Sequence, residues 1–143
     1  MKPGELSTAV ILAYFWVALG GALGSAARFW FSGVIARSFG ETFPWGTLLV
    51  NVTGSLVIGL FATTTGPDGR WMAPQWFRHQ FFMLGICGGY TTFSSFSLQT
   101  LNLAEEGQWF RAGANTVLSV VLCLLGVWLG HAWANNINAM KGH

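Results

Sequence analysis

The stretch GICGGYTTFSSFS, Gly85 to Ser97, lies between two apolar runs and holds no charged residue. Its paired glycines and its serine and threonine hydroxyls suit a surface loop. Its neighbours suit a membrane. Gly88 and Gly89 each weaken a helix by roughly 1 kcal/mol relative to Ala, and the β-branched Thr91 and Thr92 add a smaller penalty. A helical break near Gly88–Thr92 would free backbone groups that must be satisfied at membrane depth. Freed carbonyls can coordinate a small cation, as in other discontinuous membrane helices. The alternative is an unbroken helix whose glycines serve close packing. Composition alone leaves both open.

The rest of the chain decides that this stretch is in a membrane. Of 143 residues, 52% are hydrophobic and 8% are charged, against about 25% charged in soluble domains. Eight Trp and twelve Phe have too few charges around them to be hidden in a soluble fold. The expectation is an all-α integral membrane protein, a single domain over residues 1–143, with four spans at about 9–33, 45–65, 79–104 and 111–135. The N-terminal apolar run is too long for a secretory signal, and further spans follow it. Tryptophans 30, 45, 71, 76, 109 and 133 fall near span ends, where aromatic belts form. A net charge of +2 gives no argument for nucleic acid. Cys87 and Cys123 both lie in apolar runs and are expected to be buried free thiols.

Charge does not orient the four spans. One side would carry Lys2, Arg70, Arg78 and Lys141, and the other Arg37, Arg111 and a snorkelling Arg28. A partner could fix topology, or the chain could insert both ways and pair as an antiparallel dimer. A small shift in the loop boundaries would also blur the balance. Small residues at spacing four (Gly20 and Gly24, Gly21 and Ser25) point to close helix packing, expected across a subunit interface. Gly54, Ser55 and Gly59 repeat the theme in the second span.

Polar residues inside the spans are neutral. Asn51 sits among Leu and Val with Thr47 one turn earlier, and Asn115 and Ser119 repeat that spacing in the fourth span. Asn51 could bridge helices or line a pathway. Glu5, Glu41, Glu105 and Glu106 all lie outside the apolar cores, so no mid-span carboxylate is available to carry a proton. His131 is near the end of its span, at an interfacial depth. This inventory suits passive conduction better than proton coupling, and it contains no constellation of an enzyme. Phe93 and Phe96 share a helix face among Ser94, Ser95 and Ser97. The positive edges of their rings, beside hydroxyls, can line an anion path without binding the ion too tightly to release it.

GGALGSAARFW, PWGTLLVNVTGSLVIG and GICGGYTTFSSFSLQT, in this order, resemble the motifs of the small bacterial fluoride channels, the Fluc or CrcB family. The resemblance implies an antiparallel, dual-topology homodimer in the bacterial inner membrane, with two pores that release fluoride passively from the cytoplasm and protect against its toxicity. It implies a structural sodium ion at the dimer interface, held by the backbone carbonyls of Gly88 and Thr91. Phe93 and Phe96 would be the pore phenylalanines and Asn51 the pore-lining amide. Thr47 and Ser119 would belong to the polar track, and Arg28 would be a structural arginine near the interface. Asn115 stands where some members carry a pore tyrosine, a departure from the family pattern. Two other classes compete: a small dual-topology transporter, which would need a mid-span carboxylate, and a non-conducting membrane assembly subunit, which would show no ion flux.

Overall fold

A computed structural model describes residues 3–40 and 42–140. Lys2, Glu41 and Lys141, and the side chain of Glu5, lie outside the described part, so the expectations resting on them are not addressed by it. The described residues contain only helices: α1 (Pro3–Phe39), α2 (Trp45–Thr64), α3 (residues 76–90), α4 (Phe93–Glu105) and α5 (Trp109–Ala139). α3 starts as a wide π-helical run, Trp76–Cys87, and closes with one α turn, Gly88–Tyr90. α1, α2 and α5 each contain a stretch long and apolar enough to cross a membrane. The expected third span is two shorter helices in tandem, α3 and α4, interrupted at Thr91–Thr92.

α1 and α5 run beyond the expected spans. Nothing in the sequence from Gly4 to Phe39 stops a helix by itself; α1 ends where Gly40 takes a left-handed φ of 74°. Gly107 has the same φ and closes α4 with a Schellman pattern: Gly107 N–H donates to the Ala104 carbonyl at 3.0 Å and Gln108 N–H to the Leu103 carbonyl at 2.8 Å. This tight turn sends the chain straight into α5. Trp45 and Trp109 begin α2 and α5, whereas Trp30 and Trp133 lie within helices that continue past them.

Two helix pairs dominate the packing: α2 lies along α5, and α1 lies along α3. Both depend on missing side chains. A Cβ on Gly20 would collide with the Phe81 carbonyl and come within 2.9 Å of the Gly85 Cα. One on Gly24 would strike the Ile86 carbonyl. On the other pair, Gly59 abuts the Val127 carbonyl and Gly130 the Leu56 carbonyl. The Gly20–Gly24 face, expected at a subunit interface, is instead occupied within the chain. The broken third segment provides a second small-residue surface at Gly85 to receive it.

The outside of the bundle is apolar. Phe29 is 84% exposed and Phe110 89% exposed, and many Leu, Val and Trp side chains of α1 and α5 also face outward. The buried hydrophobic set is small and includes Leu48, Val50 and Phe96. A water-soluble monomer rarely presents contiguous apolar surface of this kind; a hydrocarbon solvent accepts it. Stacked aromatics fill the α1–α2–α3 seam, with Trp16 on Trp76 at 4.5 Å and Phe61 on Phe82 at 3.7 Å.

The glycine packing is testable with two neighbours. Gly20→Leu is expected to lower the thermal midpoint of the detergent-solubilised protein by an amount corresponding to at least about 1–3 kcal/mol. Gly21→Ala, whose Cβ would enter open space, is expected to be tolerated. Equal melting of both variants would show that the α1–α3 approach is not limiting.

Candidate functional site

The site is organised by the interruption between α3 and α4. Thr91 (φ −79°, ψ 156°) and Thr92 (φ −151°, ψ 113°) are both extended. In a continuous helix the Thr92 N–H would donate to the Gly88 carbonyl, four residues back. Here it donates to Asn51 Oδ1 at 2.7 Å, and Asn51 Nδ2 donates to the Thr92 carbonyl at 3.0 Å. The amide of Asn51 therefore pairs with both backbone groups of Thr92, as a neighbouring strand would. Thr92 also starts α4: its Oγ1 accepts the Ser95 N–H at 3.2 Å, the role of an N-cap.

Other polar groups converge on the same break. Ser25 Oγ lies 3.4 Å from the Gly89 carbonyl, and Arg28 Nη1 lies 3.5 Å from the Thr91 carbonyl. Both residues come from the small-residue stretch of α1. Tyr90 holds its hydroxyl 3.0 Å from Thr53 Oγ1 on α2. Gly54 is required where Thr91 lies against α2, since a Cβ there would overlap the Thr91 methyl. The break is thus held from α1 on one side and from α2 on the other.

The donor set at the break is compatible with a small hard cation. Such ions prefer oxygen ligands, including backbone carbonyls. The Gly88 carbonyl has given up its helical donor to Asn51. The Thr91 carbonyl has two lone pairs, and the Arg28 contact at 3.5 Å occupies at most one. Gly88 is exposed at the surface of the chain.

A cavity of about 370 Å³ opens beside the break. Asn51, Phe93, Phe96 and Ser119 all line it, together with Gly88 and Thr91. Phe93 and Phe96 have ring centroids 5.2 Å apart with planes at 54°. They differ in burial: Phe96 is 8% exposed, whereas Phe93 is 77% exposed. Ser119 Oγ is buried and has no hydrogen-bond partner. A buried, unpaired hydroxyl costs free energy in a packed protein, and this one belongs to a residue that lines the cavity.

Two of the sequence candidates fall elsewhere. Thr47 lines a second cavity of about 460 Å³, one turn back along α2 from Asn51. Asn115 is 1% exposed and donates through Nδ2 to Thr100 Oγ1 at 2.8 Å. Thr100 in turn donates to the Phe96 carbonyl at 2.8 Å. Asn115 lines neither of these cavities. It ties α5 to α4 and so braces the helix that carries Phe96. Gln99 is a site residue that the sequence reading misses. It lies three residues after Phe96, and its Oε1 is buried, unpartnered and beside the second cavity. Counting one turn onward from the phenylalanines would have found it.

His131 and the segment between α2 and α3 form a separate polar cluster. His131 Nδ1 is 2.8 Å from Thr63 Oγ1 and its Nε2 is 3.0 Å from Asn135 Nδ2. Arg70 N–H donates to Asn138 Oδ1 at 2.9 Å. His131 thus joins α5 to the end of α2, and Arg70 fastens the connection between α2 and α3 to the end of α5, well along the chain from the break.

The Asn51–Thr92 pairing yields a stability prediction. Asn51→Leu leaves the Thr92 N–H unpaired, while the Thr92 carbonyl keeps the first helical bond of α4, and is expected to cost about 1–3 kcal/mol. Denaturation of purified protein in detergent measures this. An unchanged midpoint would mean that the break is held without the amide.

Comparison with known proteins gives a consistent set of relatives. Residues 15–131 match the family model described as CrcB-like protein, Camphor Resistance (CrcB). The chain is 65% identical over 127 residues to a Rhodospirillum rubrum protein named Fluoride-specific ion channel FluC; the match covers 89% of this chain and 98% of that protein. Proteins of the same name from Opitutus terrae and Methylocella silvestris are 60% and 57% identical, each over 129 residues. Those matches cover 90% of this chain and 97% and 98% of the relatives.

Proposed function

Since the chain belongs to the CrcB family, we propose that it is a fluoride-selective ion channel that lets fluoride leave the cytoplasm passively and so protects the cell from it. It is a multi-pass membrane protein, not an enzyme. The observation that carries the reading at the site is the cavity where Asn51, Phe93, Phe96 and the unpartnered Ser119 hydroxyl meet at an interrupted helix. None of these groups carries a charge.

The chemistry suits fluoride. A bare small anion in an apolar medium costs tens of kcal/mol by Born estimates. Ser119 Oγ–H, and the Asn51 Nδ2 hydrogen that Thr92 leaves free, can replace part of the ion's hydration. The ring edges of Phe93 and Phe96 add weak positive potential. Among the described residues no fixed cation lines this cavity, so the ion is held weakly enough to move on. Thr47 and Gln99 continue the polar lining toward the second cavity.

Assembly follows from the same features. α3 and α4 together make the third of four crossings of the membrane, in two pieces, and the chain pairs with an antiparallel copy of itself in the bacterial inner membrane. The exposure of Phe93 and Gly88 on the break supports this, because a polar interruption facing lipid would be costly. A sodium ion, held by the Gly88 and Thr91 carbonyls, would neutralise the carbonyl dipoles at that interface. Asn115 supports Phe96 from behind, in place of a direct pore role.

Proteoliposomes loaded with fluoride or chloride at matched gradients test the function. Voltage-driven fluoride efflux with negligible chloride efflux is expected, and folded protein that passes neither ion would overturn the channel reading. Phe93→Ile and Phe96→Ile are each expected to cut fluoride flux at least about tenfold, the equivalent of about 1.4 kcal/mol. Full flux in both would remove the rings from the path. Thorough replacement of sodium by a large organic cation is expected to lower dimer stability, and an unchanged dimer would sink the sodium assignment.

A further inference from the structure

The second cavity lies where the α1–α2 connection meets the α4–α5 turn. Thr47 and Gln99 line it, each one helical turn from a residue of the first cavity, Asn51 on α2 and Phe96 on α4. The two cavities thus share two walls, and the second is the outer end of the polar stripe. Among the described residues, two charged side chains line it, Arg111 and Glu106. They do not touch each other directly. Gln108 stands between them, donating through Nε2 to Glu106 Oε2 at 2.7 Å and accepting through Oε1 from Arg111 Nη1 at 2.6 Å. Arg111 Nη1 also lies 3.4 Å from the Thr42 carbonyl, which ties it to the opposite lip of the cavity.

We propose that Arg111, Gln108 and Glu106 form an electrostatic mouth that sets how readily fluoride enters the pathway, with Arg111 attracting the anion and Glu106 limiting that attraction. The inference rests on the channel reading above and deepens it. The physical reason is that a polar conduit without charge gives an anion little long-range guidance. Charges at a low-dielectric rim focus potential into the opening and change the encounter rate. Gln108 satisfies both charges while keeping them apart, so that neither is fully cancelled by an ion pair. The tight turn at Gly107 is what brings Glu106, Gln108 and Arg111 to one rim. Removing Arg111 would leave Glu106 to repel fluoride, and removing the Glu106 charge would leave Arg111 unopposed.

The test is fluoride efflux from proteoliposomes at sub-saturating fluoride, for wild type, Arg111→Gln, Glu106→Gln and the double variant, at low and high ionic strength. Both side chains are exposed, so the substitutions leave the packed bundle untouched. At about 10 mM salt, where screening extends to about 30 Å, Arg111→Gln is expected to slow efflux roughly three- to tenfold, within the range of steering effects. Glu106→Gln is expected to accelerate it, and the double variant to fall near wild type. At about 1 M salt, where the screening length is about 3 Å, all four are expected to converge. Equal rates in all four at low salt, or slowing by both single variants, would overturn the proposal while leaving the channel reading intact. A silent wild type would instead remove the channel reading on which the proposal stands.

Discussion

One side-chain amide carries the architecture. Asn51 presents a donor and an acceptor to the two backbone groups of Thr92, and this pairing makes an interrupted helix tolerable at membrane depth. Hydrocarbon offers no water to satisfy an exposed N–H or carbonyl. The break therefore exists only where α2 can bring Asn51 to it. That approach in turn needs Gly54, because Thr91 occupies the space a larger residue would fill.

The consequences spread from this point in both directions along the chain. With the Thr92 N–H diverted, the Gly88 carbonyl is released from helical bonding. Thr92 becomes the cap of α4 and fixes its direction, which turns Phe96 inward and leaves Phe93 outward. Asn115, through Thr100, then holds α4 against α5. Ser25 and Arg28 approach the remaining carbonyls from α1. A continuous helix would offer none of these groups to an ion, and a break without supports would not persist. Conduction chemistry and helix interruption are thus one problem, solved chiefly by neutral side chains of α2 and α4, with Arg28 of α1 beside the Thr91 carbonyl.

Much of this is legible in the residues. The weakness of a Gly-Gly-x-Thr-Thr sequence as helix marks where a break could fall but leaves open an unbroken helix packed through its glycines. The structure combines the two, keeping Gly88 and Gly89 helical, with Gly89 against Gly21, and leaving the helix at Thr91–Thr92. Asn51 and Ser119 are visible because a polar side chain among Leu and Val is conspicuous. Gln99 is not, because its neighbours Ser97, Thr100 and Asn102 are polar too and mask it. The destination of the Gly20–Gly24 face is hidden for a related reason. Spacing shows that a face is small, but not which helix will meet it, and the matching surface at Gly85 is formed only after the third segment takes its place beside α1.

The sequence by itself determined that the chain is helical, that it lives in a membrane, and which neutral polar side chains lie at depth. These follow from transfer free energies and local backbone preferences, which each residue carries with it. The tertiary structure alone decided how those polar groups are shared out. It gave Asn51 to Thr92 and Asn115 to Thr100, left Ser119 lining a cavity, and separated Thr47 into another one. Hydrogen bonds are directional and short, so their partners depend on how α2, α4 and α5 meet, and no spacing within one helix contains that information.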